Sequence, residues 1–244
     1  MIQVWGMTDV GLCRKENQDA YAVREHAGHT ICVVCDGMGG PAGGRMASRI
    51  AVDTFVSSLE GVLTPEMRGE QLREASSWAA ALANKAIREA AGATEEYANM
   101  GTTLVSAVTY DDGAAVINVG DSRAYHITPA GITRITKDHS LVESMVDRGD
   151  ITAEEARRHP NRNLITRALG PDAEVQCDGY LCALLPGEYL LLCTDGLIDT
   201  VTDQEMLFEV IHGGEPDTCL DRLLELSKSR GAPDNVTAVL MKNV

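Results

Sequence analysis

The chain has 244 residues, 44% hydrophobic and 23% charged, a globular composition that excludes disorder and fibrous repeats and suffices for one well-buried domain. Its 21 basic residues against 36 acidic ones leave a net charge of −15, which argues against nucleic acid as a partner, because phosphate neutralisation needs a cationic face. No stretch approaches the roughly 20 apolar residues of a membrane helix, so no membrane partner is expected. The first residues lack a basic region leading into an apolar run, and seven scattered cysteines favour a reducing compartment over a disulfide framework. A cytoplasmic protein is expected.

In chain order, Ile2–Met7, Ala20–Arg24 and Thr30–Cys35 read as strands, the last two joined by a polar turn at His26-Ala27-Gly28-His29. Cys32 and Cys35 form a C-x-x-C, but residues three apart on a strand point to opposite faces. Two buried, inert thiols are therefore expected rather than a zinc or redox site. Arg45 to Leu59 carries apolar residues at helical spacing. Thr64-Pro65-Glu66 reads as the N-cap, proline and first-turn acid of a second helix, with Leu72, Ala75, Ala79, Leu82 and Ala86 as its apolar stripe. Beyond Gly101, strands are expected at Thr103–Tyr110, Ala114–Val119, Arg123–Ile127 and Ile132–Ile135, with turns at Asp111-Asp112-Gly113 and Pro129-Ala130-Gly131.

The polar region 144–163 contains a short helix opened by the capping box Thr152-Ala153-Glu154-Glu155. Strands follow near Val175–Leu181 and at Tyr189–Cys193. A second capping box, Thr202-Asp203-Gln204-Glu205, opens a helix; a further one carries Leu220, Leu223 and Leu224 and ends at Gly231, before a last strand at Val236–Met241. Strands and helices come in blocks rather than in βα alternation, so an α+β fold of antiparallel sheets covered by helices is expected. No repeat or linker divides residues 1–244, which read as one domain.

The chemistry lies where strands end. Asp36 follows an apolar strand and precedes Gly37-Met38-Gly39-Gly40; Asp121 follows Val116-Ile117-Asn118-Val119-Gly120; Asp195 follows the strand ending at Thr194; Asp234 precedes the last strand. Any one such carboxylate ordinarily caps a turn. Four together are what a hard cation such as Mg²⁺ or Mn²⁺ requires, with glycines letting a main-chain carbonyl approach as a further ligand. The Gly37–Gly44 stretch lacks the G-x-x-x-x-G-K-[ST] of an ATP-binding loop.

The series Arg14-Lys15-Glu16-Asn17-Gln18-Asp19, Val34-Cys35-Asp36-Gly37-Met38-Gly39-Gly40, Met100-Gly101-Thr102-Thr103, Gly120-Asp121-Ser122-Arg123, Cys193-Thr194-Asp195-Gly196-Leu197 and Asp234-Asn235-Val236-Thr237 resembles the protein phosphatase type 2C family, the metal-dependent serine/threonine phosphatases, in their compact bacterial form. The resemblance spans nearly the whole chain. It implies a four-layer αββα sandwich and hydrolysis of phosphoserine or phosphothreonine by a water bridging two Mg²⁺ or Mn²⁺ ions. Asp36 matches the carboxylate between the two metals, the Gly37 carbonyl a ligand of the second, and Asp195 and Asp234 ligands of the first. Asp19 matches an acid holding metal-bound water, and Asp121, with Asp195, a weaker third site. Arg14 matches the clamp on the substrate phosphate, a task suited to a planar bidentate fork. Arg14, Asp36 and Asp195 are expected to carry catalysis, with Ser122 and Cys193 structural.

Met38 stands where some relatives place a histidine that protonates the leaving group, and a thioether donates no proton. Metal-bound water, on the third ion, or His139 in Asp138-His139-Ser140 is the substitute acid, His139 otherwise being a loop residue making local hydrogen bonds, so the acid stays unassigned. Region 144–163 corresponds to a mobile flap whose charges contact the substrate or form a solvated helix face. The expected partners are phosphorylated proteins and an opposing bacterial Ser/Thr kinase, with the chain acting as a monomer. Two rival readings stay open at this level: a non-catalytic phosphoprotein binder, and a hydrolase of small phosphoesters on the same scaffold.

Overall fold

The structure is a computed structural model and describes residues 1–244 apart from the side chain of Pro41. The first half runs through strands β1 (Ile2–Asp9), β2 (Asp19–His26) and β3 (His29–Met38), helices α1 (Gly40–Glu60) and α2 (Gly69–Ala91), then strands β4 (Gly101–Thr102), β5 (Leu104–Tyr110), β6 (Gly113–Val119), β7 (Arg123–Thr128) and β8 (Gly131–Arg134). The second half holds α3 (Leu141–Asp147), α4 (Ala153–Arg158), β9 (Asp178–Ala183), β10 (Tyr189–Cys193), α5 (Asp195–Ile198), α6 (Asp203–His212), α7 (Cys219–Ser229) and β11 (Val236–Asn243).

Two antiparallel sheets result. One has the order β1-β11-β10-β7-β8; the other has the order β2-β3-β5-β6-β9, with β4 paired to the end of β3. Strand alternation sorts the side chains into three apolar layers. Val34, Val105 and Val116 of one sheet meet Leu190, Leu192 and Val239 of the other between the sheets. Val33, Leu104 and Ile117, one residue out of phase with these, face Phe55 and Leu59 of α1 and Leu72 and Ile87 of α2. Tyr125, Leu191 and Leu240 face outward from the other sheet onto Met206, Leu220 and Leu223 of α6 and α7. Each such aliphatic side chain, fully buried, contributes about 1.5–3 kcal/mol, and the three interfaces define an α+β sandwich of helix, sheet, sheet and helix.

The C-x-x-C follows the strand geometry. Cys32 packs between the sheets and Cys35 against the helices, and burial pushes both thiols up. Cys13 is exposed. A thiol reagent is therefore expected to modify Cys13 in the native protein well ahead of Cys32, Cys35 and Cys193. Equal labelling rates without denaturant, read by mass spectrometry, would contradict this packing.

Several boundaries differ from the sequence expectation. Helix α2 begins at Gly69, not at Thr64, because the Thr64 carbonyl accepts from Met67 N at 3.2 Å and lies 2.9 Å from the ring of His29, which closes a turn instead. Its buried face is Leu72, Ser76, Ala79, Ala80, Ala83, Asn84 and Ile87, with Ala75, Leu82 and Ala86 only half-buried beside it. Helix α1 begins five residues ahead of Arg45, inside the glycine-rich stretch. The expected turn joins β2 to β3 with His26 paired to His29, but His29 is buried, and its other ring nitrogen lies 2.8 Å from the Thr109 carbonyl. Both expected capping boxes are present, with Glu155 and Glu205 each accepting from the backbone N–H of the threonine three residues earlier. The charges of region 144–163 largely pair among themselves and with neighbours, as Lys137–Asp147, Arg148–Asp150 and Arg158–Glu154.

Candidate metal centre

Asp36 reaches the end of the sandwich on β3, directly across the β2–β3 ladder from Asp19. Register partners on adjacent strands share a face, so the two acids are delivered together. Main-chain and side-chain bonds then fix Asp36. Its N–H donates to Thr103 Oγ1 at 2.9 Å, and its carbonyl accepts from Thr102 Oγ1 at 2.8 Å and from Thr103 N at 2.9 Å. Gly37 follows, with its N–H on the Gln18 carbonyl at 3.2 Å. A Cβ there would stand 2.0 Å from the Gly44 carbonyl oxygen, so β3 and α1 meet backbone to backbone.

Asp195 is the first residue of α5, directly after β10, and Asp234 lies in the loop before β11, the neighbour of β10. The two segments touch where Gly196 meets the Asn235 carbonyl, at 2.0 Å from an added Cβ. Asp121 follows Gly120, whose φ of +105° and whose contact with Thr103 Cγ2, 2.6 Å from an added Cβ, leave no room for a side chain. Ser122 is buried with its hydroxyl 2.7 Å from Thr103 Oγ1. Thr103 thus ties the Asp36 strand end to the Asp121 turn.

Asp36, the Gly37 backbone, Asp121, Asp195, Asp234 and Arg14 line one cavity of about 520 Å³. Asp19 stands outside that lining, its Oδ2 accepting from Thr194 Oγ1 at 2.9 Å. The carboxylates raise one another's pKa. Burial first, and then the charges of Asp19, Asp195, Asp121 and Asp234, push Asp36 well above the usual range. Burial and then Asp121, Asp199 and Asp234 do the same to Asp195. Asp19 is pushed up to about 6 and Asp121 to about 7, chiefly by burial. Arg14 donates from Nη2 to Asp234 Oδ2 at 2.6 Å, from an exposed position.

Asp19 Oδ1 and Asp195 Oδ1 are buried with no hydrogen-bond partner, a condition that costs on the order of 1–3 kcal/mol for a polar group and more for a charged one. A cation would relieve the repulsion and satisfy the orphaned oxygens together. Among the described residues no three His, Cys, Asp or Glu side chains converge closely enough to hold an ion by themselves. An all-oxygen set supplemented by main-chain carbonyls and water is the habit of Mg²⁺ and Mn²⁺ rather than of zinc, and the residues fit such ions.

Residues 14–225 match the family described as Protein phosphatase 2C. The chain belongs to this family. It is 36% identical over 233 residues to the serine/threonine protein phosphatase PstP of Mycobacterium tuberculosis, an alignment that covers 96% of this chain and 43% of that protein. The chain therefore spans less than half the length of that relative. The structure of serine/threonine phosphatase Stp1 from Staphylococcus aureus superposes with a TM-score of 0.94 at 35% identity, covering 100% of this chain and 96% of that one. The catalytic domain of PstP, solved in complex with two manganese ions, matches at a TM-score of 0.83 and 31% identity over 99% and 97% of the two chains.

Within this protein phosphatase 2C chain, His139 does not line the cavity. The Gly120 N–H donates to its Nδ1 at 3.1 Å, so Nε2 carries the hydrogen and faces Asp178 Oδ2 at 3.2 Å. It braces the turn before Asp121 from behind. Met38 does line the cavity, as do Asn163 at the far end of region 144–163 and Ile165 just beyond it. Thr103, Thr194 and Asn235 were without a role in the motif reading. The available signal was their position, each directly beside a site aspartate or, for Thr103, opposite one.

Proposed function

We propose that this member of the protein phosphatase 2C family hydrolyses phosphoserine and phosphothreonine in proteins, using two Mn²⁺ or Mg²⁺ ions and a weaker third. The observation that carries this reading is the set of mutually repelling carboxylates with orphaned oxygens around one cavity that also holds an arginine. Asp36 and the Gly37 carbonyl, with Asp195 and Asp234, would hold the two principal ions, and Asp121 with Asp195 the third. When bound, the ions would lower the pKa of water and shield the phosphate's charge from an incoming nucleophile. Arg14, exposed at the cavity and bonded to Asp234 through one nitrogen, offers further N–H donors to a phosphate oxygen and so orients the ester. Asp19, held by Thr194, would accept a hydrogen bond from water bound at the metal site. Met38 donates no proton and His139 does not line the cavity, so neither protonates the leaving alkoxide.

The same reading makes region 144–163 a flap whose last residue, Asn163, touches the substrate together with Ile165 just beyond it. It places the protein in the cytoplasm as a monomer, opposite a Ser/Thr kinase that makes its substrates. Among the described residues, no helix is long and apolar enough to cross a membrane. The test is phosphate release from a phosphothreonine peptide with Mn²⁺ and then with EDTA, beside a panel of nucleotides and sugar phosphates. Release from the peptide that requires Mn²⁺ and stops with EDTA is expected. No release from folded protein would favour a phosphoprotein binder, and preference for the small esters would move the substrate class.

A further inference from the structure

Arg14 lies in the loop 10–18, between β1 and β2, which has no regular secondary structure to hold it in place. Three of the hydrogen bonds that hold that loop come from one buried side chain. Asn235 is 5% exposed. Its Oδ1 accepts from Gln18 N at 2.8 Å, and its Nδ2 donates to the Val10 carbonyl at 2.9 Å and to the Glu16 carbonyl at 3.0 Å. One amide therefore ties down the loop at its start, at its end and just beyond Arg14. Leu12 N on the Ala232 carbonyl, at 3.0 Å, adds a bond from the same 231–235 segment. Gly11, with φ +73° and an added Cβ 2.2 Å from the Asp234 carbonyl, shows how closely the two loops are pressed.

We propose that Asn235 is a positioning residue for the substrate phosphate, acting through the 10–18 loop on Arg14 rather than through the neighbouring metal ligand. This rests on the reading of Arg14 as the phosphate clamp. Two features separate the roles. The bond between Asn235 and Asp234 is made by the Asn235 backbone N–H, to Asp234 Oδ1 at 2.8 Å, and survives loss of the side chain. The side-chain amide directs its three hydrogen bonds to the loop. An asparagine is also the residue the place demands, since one end must accept from an N–H while the other donates to two carbonyls. A carboxylate would turn an oxygen toward two acceptors.

The test is a double-mutant cycle of Asn235→Ala and Arg14→Ala in the full chain loaded with Mn²⁺. It reads KM and kcat for a phosphothreonine peptide, the inhibition constant of inorganic phosphate, and Mn²⁺ affinity by calorimetry. Asn235→Ala is expected to raise KM and the phosphate inhibition constant by about tenfold while kcat falls less than about threefold, and to add less than about twofold once Arg14 is already alanine. Mn²⁺ affinity is expected to stay within about twofold, because no ligand side chain loses a bond. The same fold-change in both backgrounds, or a loss of Mn²⁺ affinity that tracks the KM change, overturns the proposal. If Asn235→Ala does not fold, Asn235→Ser, which keeps a hydroxyl at the site, runs the same cycle with the same criteria. A folded wild type with neither Mn²⁺-dependent turnover nor phosphate binding overturns the phosphatase reading and this one with it; an active wild type with an additive cycle overturns this one alone.

Discussion

Asp195→Asn is expected to lower kcat/KM for a phosphothreonine peptide by about 10³-fold or more, about 4 kcal/mol of transition-state stabilisation, and yet to raise the melting temperature in EDTA. Both effects come from one carboxylate. Asp195 is surrounded by Asp121, Asp199, Asp234 and Asp19, which with burial push its pKa well above the usual range. Its Oδ1 is buried without a partner. Without a cation the charged group is a liability, so removing the charge at constant volume should stabilise the metal-free fold by about 1–2 kcal/mol. For a chain of this size that is a rise of a few degrees, roughly 2–4 °C per kcal/mol. Added Mn²⁺ should then stabilise the wild type by mass action and the variant much less, since a ligand that binds only the folded form raises its stability in proportion to affinity. Kinetics and thermal melts with Mn²⁺ and with EDTA decide the matter. Near-normal turnover would remove Asp195 from the centre, and a lower melting temperature in EDTA would show that its charge is satisfied within the fold. The trade of stability for activity is the usual mark of a site built around a group that the fold alone does not favour.

The strands were legible because alternation shows which face is buried. Tyr189–Cys193 and the core of Val236–Asn243 lie where apolar periodicity places them, and the aspartates that follow or precede them could be read as rim residues for the same reason. The short elements were not legible: β4, α3 and α5 are 2, 7 and 4 residues long, too few for a period to show. The face of α2 was read one position off because Ser76, Ala79, Ala80 and Ala83 carry little hydrophobic contrast, so close approach to α1 rather than side-chain size decides what is buried. In the site, ionic character revealed the carboxylates, while the residues that position them stayed hidden. Thr103, His139 and Asn235 all work on main-chain groups, and a main-chain donor or acceptor leaves no trace in residue type. Such a group becomes visible only when the fold brings Gly120 to His139, or Val10 and Glu16 to Asn235.

Gly37→Ala is expected to destabilise the fold by about 3 kcal/mol or more and to abolish turnover, although it adds one methyl group and no charge. The Cβ would stand 2.0 Å from the Gly44 carbonyl oxygen, 2.5 Å from its carbon and 2.6 Å from the Gln18 carbonyl oxygen. All three neighbours are backbone, so no rotamer change relieves the contact. Gly44 returns the constraint, since a Cβ on it would lie 2.7 Å from the Gly37 carbonyl oxygen. Accommodation must shift α1 away from β3 or push the Gln18 segment outward, and either movement displaces the carbonyl proposed as a metal ligand. Gly61→Ala is the control. Its φ is −77° and the nearest atom to an added Cβ is the Ser58 carbonyl oxygen at 3.5 Å, an ordinary contact. That variant should melt within a few degrees of the wild type, or slightly above it, because alanine loses less backbone freedom than glycine on folding. Thermal melts and Mn²⁺-dependent turnover of both variants distinguish a steric effect at one close approach from a general intolerance of lost glycine. If Gly37→Ala melts and turns over like Gly61→Ala, β3 and α1 do not meet as described, and the Gly37 carbonyl has no claim to a metal. If it folds at reduced stability and loses turnover while Gly61→Ala keeps it, the backbone contact between β3 and α1 is what holds that carbonyl at the centre.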